Sequence, residues 1–184
     1  MRISITSWVQ EELRRWIDDG AICVDATVGK GGDTIYLCEA AGAKGKVVGF
    51  DIQEEALKTA KNRLEGKKLK AELHLAGHEC MDEYLEEDTV SVIMFNLGYL
   101  PGGNHKIATK SATTLQAIEK GLLLLKHGGI LSLCIYSGGD SGFEERNQVL
   151  EFLKGLDDKK YLVIQQKFFN KVEHAPLPVF ILKL

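Results

Sequence analysis

The sequence has no run approaching the ~18 consecutive apolar residues of a membrane span. Its N-terminus lacks the basic, apolar and small-residue order of a secretory signal. A cytoplasmic protein with no membrane partner is therefore expected. Neither charge dominates: 23 Lys and Arg stand against 26 Asp and Glu, for a net charge of −3 and a pI near 6.0. Such a balance does not announce a nucleic-acid binder, although a local basic patch can suffice. The four cysteines, Cys23, Cys38, Cys80 and Cys134, lack metal-ligand spacing. Cys23 and Cys134 fall in apolar strand-like runs and Cys38 in a helix-like one, where free cysteine acts as a small hydrophobe. No metal is expected. Linkers, low-complexity tracts and internal repeats are also missing. One domain spanning 1–184 is expected, with 45% hydrophobic residues to build its core.

What is present is an alternation of strand and helix patterns. Ser7 can cap a first helix, with Gln10 in capping-box position and Val9, Leu13, Trp16 and Ile17 on one face. Strands are expected over Ala21–Ala26, Lys46–Phe50, Glu72–Ala76, Thr89–Phe95 and Ile130–Tyr136. Helices are expected over Asp33–Ala41, Gln53–Leu64, Ser111–Lys126 and Gly142–Leu153, the third stopped by His127-Gly128-Gly129. Apolar strands separated by helices imply βαβ units and a parallel sheet. Tyr161–Phe169 and Pro178–Leu184 differ, because the loop between them has no room for a crossover helix. They are expected to form an antiparallel hairpin. The fold class is thus α/β: a mostly parallel seven-stranded, Rossmann-like sheet with helices on both faces, the outline of class I S-adenosylmethionine-dependent methyltransferases.

Ligands of open α/β sheets bind outside the carboxyl ends of the strands, and several motifs fall there. Asp25-Ala26-Thr27-Val28-Gly29-Lys30-Gly31-Gly32-Asp33-Thr34 is a glycine-rich strand-to-helix turn. Gly29 and Gly31 permit close approach to a ligand, and Asp25 or Asp33 can pair with a cofactor ammonium. Thr34 stands where a dinucleotide fingerprint needs a third small residue, which argues against a nicotinamide cofactor or simple nucleotide-binding module. Asp51 ends the second strand 22 residues after Gly29, the spacing of a ribose acceptor, and Gln53 can reach the same sugar edge. Asp51 can equally cap the next helix. Gly77 and His78 follow the third strand, where an adenine ring would lie. Asn96-Leu97-Gly98-Tyr99 follows the fourth, with the polar oxygen and aromatic ring that amine methylation requires.

Phe95-Asn96-Leu97-Gly98-Tyr99-Leu100-Pro101-Gly102-Gly103, together with Asp25-Ala26-Thr27 and Phe50-Asp51-Ile52-Gln53, resembles the YtqB-like family of rRNA methylases. Members of it are assigned as tRNA methyltransferases. The similarity covers the whole chain, including Tyr136-Ser137-Gly138 and the hairpin residues Asn170, Pro176 and Pro178. The resemblance implies S-adenosylmethionine as cofactor and methyl transfer to 5-aminomethyl-2-thiouridine at the tRNA wobble position. The RNA partner would then be the anticodon region; a homodimer is compatible with the sequence. Cofactor contacts are expected from Asp25, Thr27, Gly29, Lys30, Gly31, Asp33, Asp51, Gln53, Gly77, His78, Asn96 and Leu97. Asn96 is expected to position the amine, with Tyr99, Tyr136 or water taking its proton. Gly98, Pro101, Lys106 and Lys110 are expected at the RNA, with Lys167 and Lys171 flanking the pocket. Lys30, Gly32 and Gly139 depart from the family pattern. An rRNA methylase and a small-molecule amine methyltransferase are the competing functions.

Overall fold

A computed structural model describes residues 4–98, 109–136, 140–170 and 175–184, with backbone alone at 140–142. The first helix, α1, spans Ile5–Leu13 and continues into a 3-10 turn at Arg14–Trp16. Its cap is Ser4, one turn earlier than expected. Ser4 Oγ accepts from the Ser7 amide at 3.0 Å while Ser7 Oγ accepts from the Ser4 amide at 3.0 Å. Ser7 is therefore the far side of the capping box and Gln10 is released from it.

The remaining elements follow in alternation: β1 Ile22–Asp25, α2 Gly32–Ala41, β2 Lys46–Asp51, α3 Glu54–Gly66 and β3 Glu72–Leu75. A 3-10 segment at His78–Glu83 precedes β4 Val90–Leu97. Then come α4 Ser111–Leu124, β5 Leu125–Ile135, α5 Asp140–Lys154, β6 Tyr161–Gln165 and β7 Leu177–Lys183. The sheet order is β3-β2-β1-β4-β5-β7-β6. β7 lies antiparallel to both β5 and β6, and the other pairs are parallel. The expected hairpin is present, with its second strand inserted against β5.

One boundary moved. The helix expected to run to Lys126 closes at Leu124, and β5 begins at once. Val90 pairs with Leu125 and Val92 with Ile130, so residues 126–129 form a bulge. Leu124 and Leu125 are both buried, so the apolar pattern runs unbroken through the change of structure. The His-Gly-Gly segment bends a strand here and does not stop a helix.

Each face of the sheet carries its own core. On one, α1, α2 and α3 cover Cys23, Val47, Val92 and Met94 with Val9, Leu13, Leu37, Ala41 and Leu64. On the other, Met81, Ala117, Ile118, Leu122, Val149 and Leu153 cover Val24, Phe50, Ile93, Phe95 and Leu133. Cys23, Cys38 and Cys134 are buried, and burial raises the thiols to about 12, 11 and 12. Among the described residues no helix is long and apolar enough to cross a membrane. The chain order reverses between β1 and β4, which opens a crevice beyond their carboxyl ends.

Candidate active site

That crevice holds a cavity of about 750 Å³, within the range of small-molecule sites. Its floor is the glycine turn between β1 and α2. Asp25 is fully buried beneath this turn. It accepts from the Thr27 amide at 3.2 Å and from the Thr34 hydroxyl at 2.6 Å. Burial, and next the nearby Asp33, raise the Asp25 carboxyl above the ordinary carboxylate range. Asp25 does not line the cavity. The expectation that it meets a cofactor ammonium is corrected accordingly: it anchors the turn from below. Thr34, suspect as an obstacle to packing, is the other half of that anchor.

The glycines divide the work. Gly29 has φ +50 and lines the cavity. Gly31, at φ +74, faces α3, where a Cβ would lie 2.8 Å from Ala60 Cβ. Gly31 is thus not a cavity residue, contrary to expectation. Its lack of a side chain lets α2 and α3 approach. Lys30 and Gly32 both line the cavity, and a Cβ on Gly32 would meet nothing within 4 Å.

Asp51, at the end of β2, ties two walls together. Its carboxylate accepts from the Gly29 amide at 2.8 Å and from the Gln53 amide at 2.9 Å. A carboxylate has about four acceptor positions, so these two bonds orient Asp51 and leave capacity toward the cavity it lines. The helix-entry role therefore leaves room for an acceptor role. Gln53, the N-cap of α3, makes no side-chain capping bond and lines the cavity beside it. Gly77 and His78 form the wall beyond β3. His78 is 8% exposed, stands edge-on to Phe95 at 5.6 Å, and leaves Nε2 without a partner. Burial lowers its pKa, so it is a neutral imidazole there.

The end of β4 carries the most constrained group. Asn96 donates its backbone N–H to Thr27 Oγ1 at 2.7 Å and its Nδ2 to Asp33 at 2.6 Å. A carboxylate only accepts, so Asp33 dictates which way the Asn96 amide faces. The other Asp33 oxygen accepts from Gln10 Nε2 at 2.6 Å. Among the described residues nothing donates to Asn96 Oδ1, and Asn96 lines the cavity. The sequence offered Gln10 only as a capping-box residue, because Asp33 lies 23 residues away on another element.

Leu97 and Gly98 line the cavity next. Gly98 donates to Thr109 Oγ1 at 2.9 Å and its carbonyl accepts from the Thr109 amide at 3.0 Å. Thr109 and Thr114 both donate to Glu145 at 2.7 Å. Glu145 is 5% exposed. This network belongs to the site's scaffold, and a glutamate on a polar helix gave no signal of it. Tyr136 and Lys110 complete the lining with Thr6 from α1. Burial pushes the Tyr136 phenol up to about 12. A phenol is a poor proton acceptor at neutral pH, which weighs against Tyr136 among the three acceptors expected for the amine proton. Tyr99, Pro101, Lys106, Gly138, Gly139 and Lys171 lie outside the described residues.

Asp33 and Asp51 bring carboxylates to the wall, with Asp25 beneath. No lysine or arginine pairs with any of the three among the described residues. Carboxylates at the wall without a counter-cation favour a cationic ligand. Free acceptor capacity at Asp51, the His78 imidazole and this negative field suit a ligand that carries both a nucleoside and a positive charge.

The sheet order and the crevice define the class I S-adenosylmethionine-dependent methyltransferase fold. The chain belongs to the family described as "Putative rRNA methylase", whose model matches residues 47–182. It is 36% identical over 178 residues to the chloroplastic tRNA (mnm(5)s(2)U34)-methyltransferase of Arabidopsis thaliana. That match covers 91% of this chain, which spans 65% of the plant protein's length. The crystal structure of a "putative rRNA-methylase" from Clostridium thermocellum is 41% identical with TM-score 0.95, covering both chains in full. A "putative methyltransferase" from Streptococcus mutans, solved in complex with SAH, is 37% identical with TM-score 0.89, again covering both chains in full.

Proposed function

We propose that the chain is an S-adenosylmethionine-dependent tRNA methyltransferase acting on the amine of 5-aminomethyl-2-thiouridine at the wobble position. The observation that carries this reading is the Asn96 amide, turned by Asp33 so that Oδ1 is the atom offered to the cavity. The named activity of the Arabidopsis relative supports the substrate.

When bound, S-adenosylmethionine supplies a methyl group on a positively charged sulfur. Asp51 would hold the ribose hydroxyls, Gly77 and His78 the adenine side, and Gly29 and Lys30 the edge near the methionine. Asp33 contributes the negative field for the ammonium. Asn96 Oδ1 accepts one N–H of the substrate amine and turns its lone pair toward the methyl group. Orientation of this kind is worth roughly 7–11 kcal/mol. An alkylamine must lose a proton before it attacks. Tyr136, held as a phenol, does not take that proton at neutral pH, which leaves Tyr99 or water as the acceptor. The rate is expected to rise with pH until the amine is neutral.

The test is methyl transfer by the purified chain to tRNA carrying 5-aminomethyl-2-thiouridine, read by mass analysis of the digested nucleosides. A single methyl on that nucleoside is expected. Transfer to rRNA or a free small amine in its place would overturn the assignment.

A further inference from the structure

We propose that Trp8, Phe168 and Phe169 form a stacking platform for unpaired nucleotides of the RNA loop that presents the substrate amine. The inference rests on the RNA reading above and extends it to a surface outside the cavity.

The platform is connected to the cavity through α1 and through the sheet. Thr6 lines the cavity, and Trp8 stands two residues on in the same helix. From the sheet, Gln166 donates its backbone N–H to the Pro178 carbonyl at 2.9 Å, and Pro178 is in register with Cys134. The next two residues carry the chain past Lys167 to Phe168, toward the level of Tyr136 on the cavity wall. The two approaches meet: Trp8 and Phe168 pack edge to face, with ring centroids 6.2 Å apart and planes at 83°.

Three properties select nucleobases as the occupant. The rings are exposed, Phe169 by 97% and Trp8 by 36%. Trp8 is also preorganised against Phe168. Trp8 Nε1 donates to Gln166 Oε1 at 2.8 Å, so its polar edge is satisfied locally and the ring surface is what a ligand meets. Aromatic faces at fixed positions are how single-stranded RNA is held beside a base-specific pocket. Finally, the flanking charge is suitable. Lys167 is exposed beside the rings and Lys110 sits on the cavity's lining, both available to phosphates. The nearby Glu12 is within 3.7 Å of Arg15. Of the exposed aliphatic residues of β6, Ile164 adjoins Gln166 and Leu162 lies further back along the strand.

The test compares wild type with Trp8→Ala and Phe169→Ala, using a synthetic RNA hairpin whose loop carries 5-aminomethyl-2-thiouridine. Each variant is expected to raise KM for the hairpin by about tenfold or more, from the loss of one stacked base. Affinity for S-adenosylmethionine should match wild type, with Trp8→Phe recovering most of the loss. In a Trp16→Phe background, hairpin binding should quench the remaining Trp8 fluorescence. Phe169 is almost wholly exposed, so its removal leaves folding intact. If wild type methylates the hairpin and both variants keep its KM, the platform is wrong while the function stands. If wild type transfers no methyl to the hairpin, the functional reading falls and takes the platform with it. Variants that turn a dimer into a monomer in sedimentation, with KM for RNA unchanged, would assign the patch to a second copy of the chain and overturn the platform.

Discussion

At the scale of single residues, the site depends on carboxylates doing different jobs at short range. Asp51 is held by two backbone amides before any ligand arrives. Asp51→Ala should therefore weaken S-adenosylmethionine binding by about 1–3 kcal/mol, the cost of leaving ribose hydroxyls without their acceptor; calorimetry on the folded variant would read it, and unchanged affinity would end the ribose assignment. Asn96 gains its direction from Asp33. Asn96→Ala should slow single-turnover methylation about a hundredfold, the scale of a ~1 Å misplacement, while cofactor binding is spared. A wild-type single-turnover rate would make the Asn96 motif structural. Asp25 is different again, since its burial disfavours charge. Its folded pKa lies above its unfolded value, so its contribution to stability is complete below the unfolded pKa near 4. That contribution is lost as pH climbs through the folded pKa. Asp25→Asn cannot ionise, so urea unfolding of the variant should lack this decline. Equal pH slopes for variant and wild type from pH 4 upward would show that Asp25 does not carry it.

At the scale of elements, the turn between β1 and α2 shows how packing and binding share one loop. Gly29 faces the ligand side and Gly31 faces α3. Gly31→Ala would place a methyl 2.8 Å from Ala60 Cβ at a φ of +74. Left-handed backbone costs about 1–2 kcal/mol for a residue with a Cβ, and overpacking about 1–3 more. A loss of roughly 2–5 kcal/mol in denaturant unfolding is expected, with weakened cofactor binding because Gly29 moves with the same turn. Gly32→Ala, with open space around its Cβ, should cost far less, and equal losses at the two positions would refute this division of roles. These elements were legible in the sequence because strand and helix alternate with distinct apolar periods. Asp51 and Asn96 were legible because their spacing places them at strand ends. The hydrogen bonds that orient them were not. Gln10 reaches Asp33 across 23 residues and Glu145 reaches Thr114 across 31, and such pairings leave no local pattern. The cap was misplaced for a simpler reason: Ser4 and Ser7 are both good caps, and the capping box uses both. The start of β5 was hidden because Leu124 and Leu125 suit a helix and a strand equally well.

At the scale of the whole molecule, the charge distribution is at odds with an RNA substrate until it is localised. A net charge of −3 gives no general attraction to a polyanion, and the cavity wall itself is acidic. Binding must then come from few phosphate contacts and from stacking, which makes it distinguishable from the binding of a strongly basic protein. Each phosphate contact to a single strand releases counterions, so the logarithm of affinity should fall with the logarithm of salt at about −0.7 per contact. With Lys30 and Lys110 on the cavity's lining and Lys167 exposed beside Phe168, a shallow slope of about −1 to −2 is expected. Lys110→Glu should raise KM for tRNA, reduce that slope by about one contact's share, and leave the affinity for S-adenosylmethionine unaltered. Measuring KM for tRNA across a salt series in wild type and variant decides the point. A flat response in wild type would mean that no phosphate is held, and the substrate would then be a small amine that fits the acidic cavity alone. A steep slope, on the other hand, would show a basic surface beyond these three lysines and move the RNA path elsewhere.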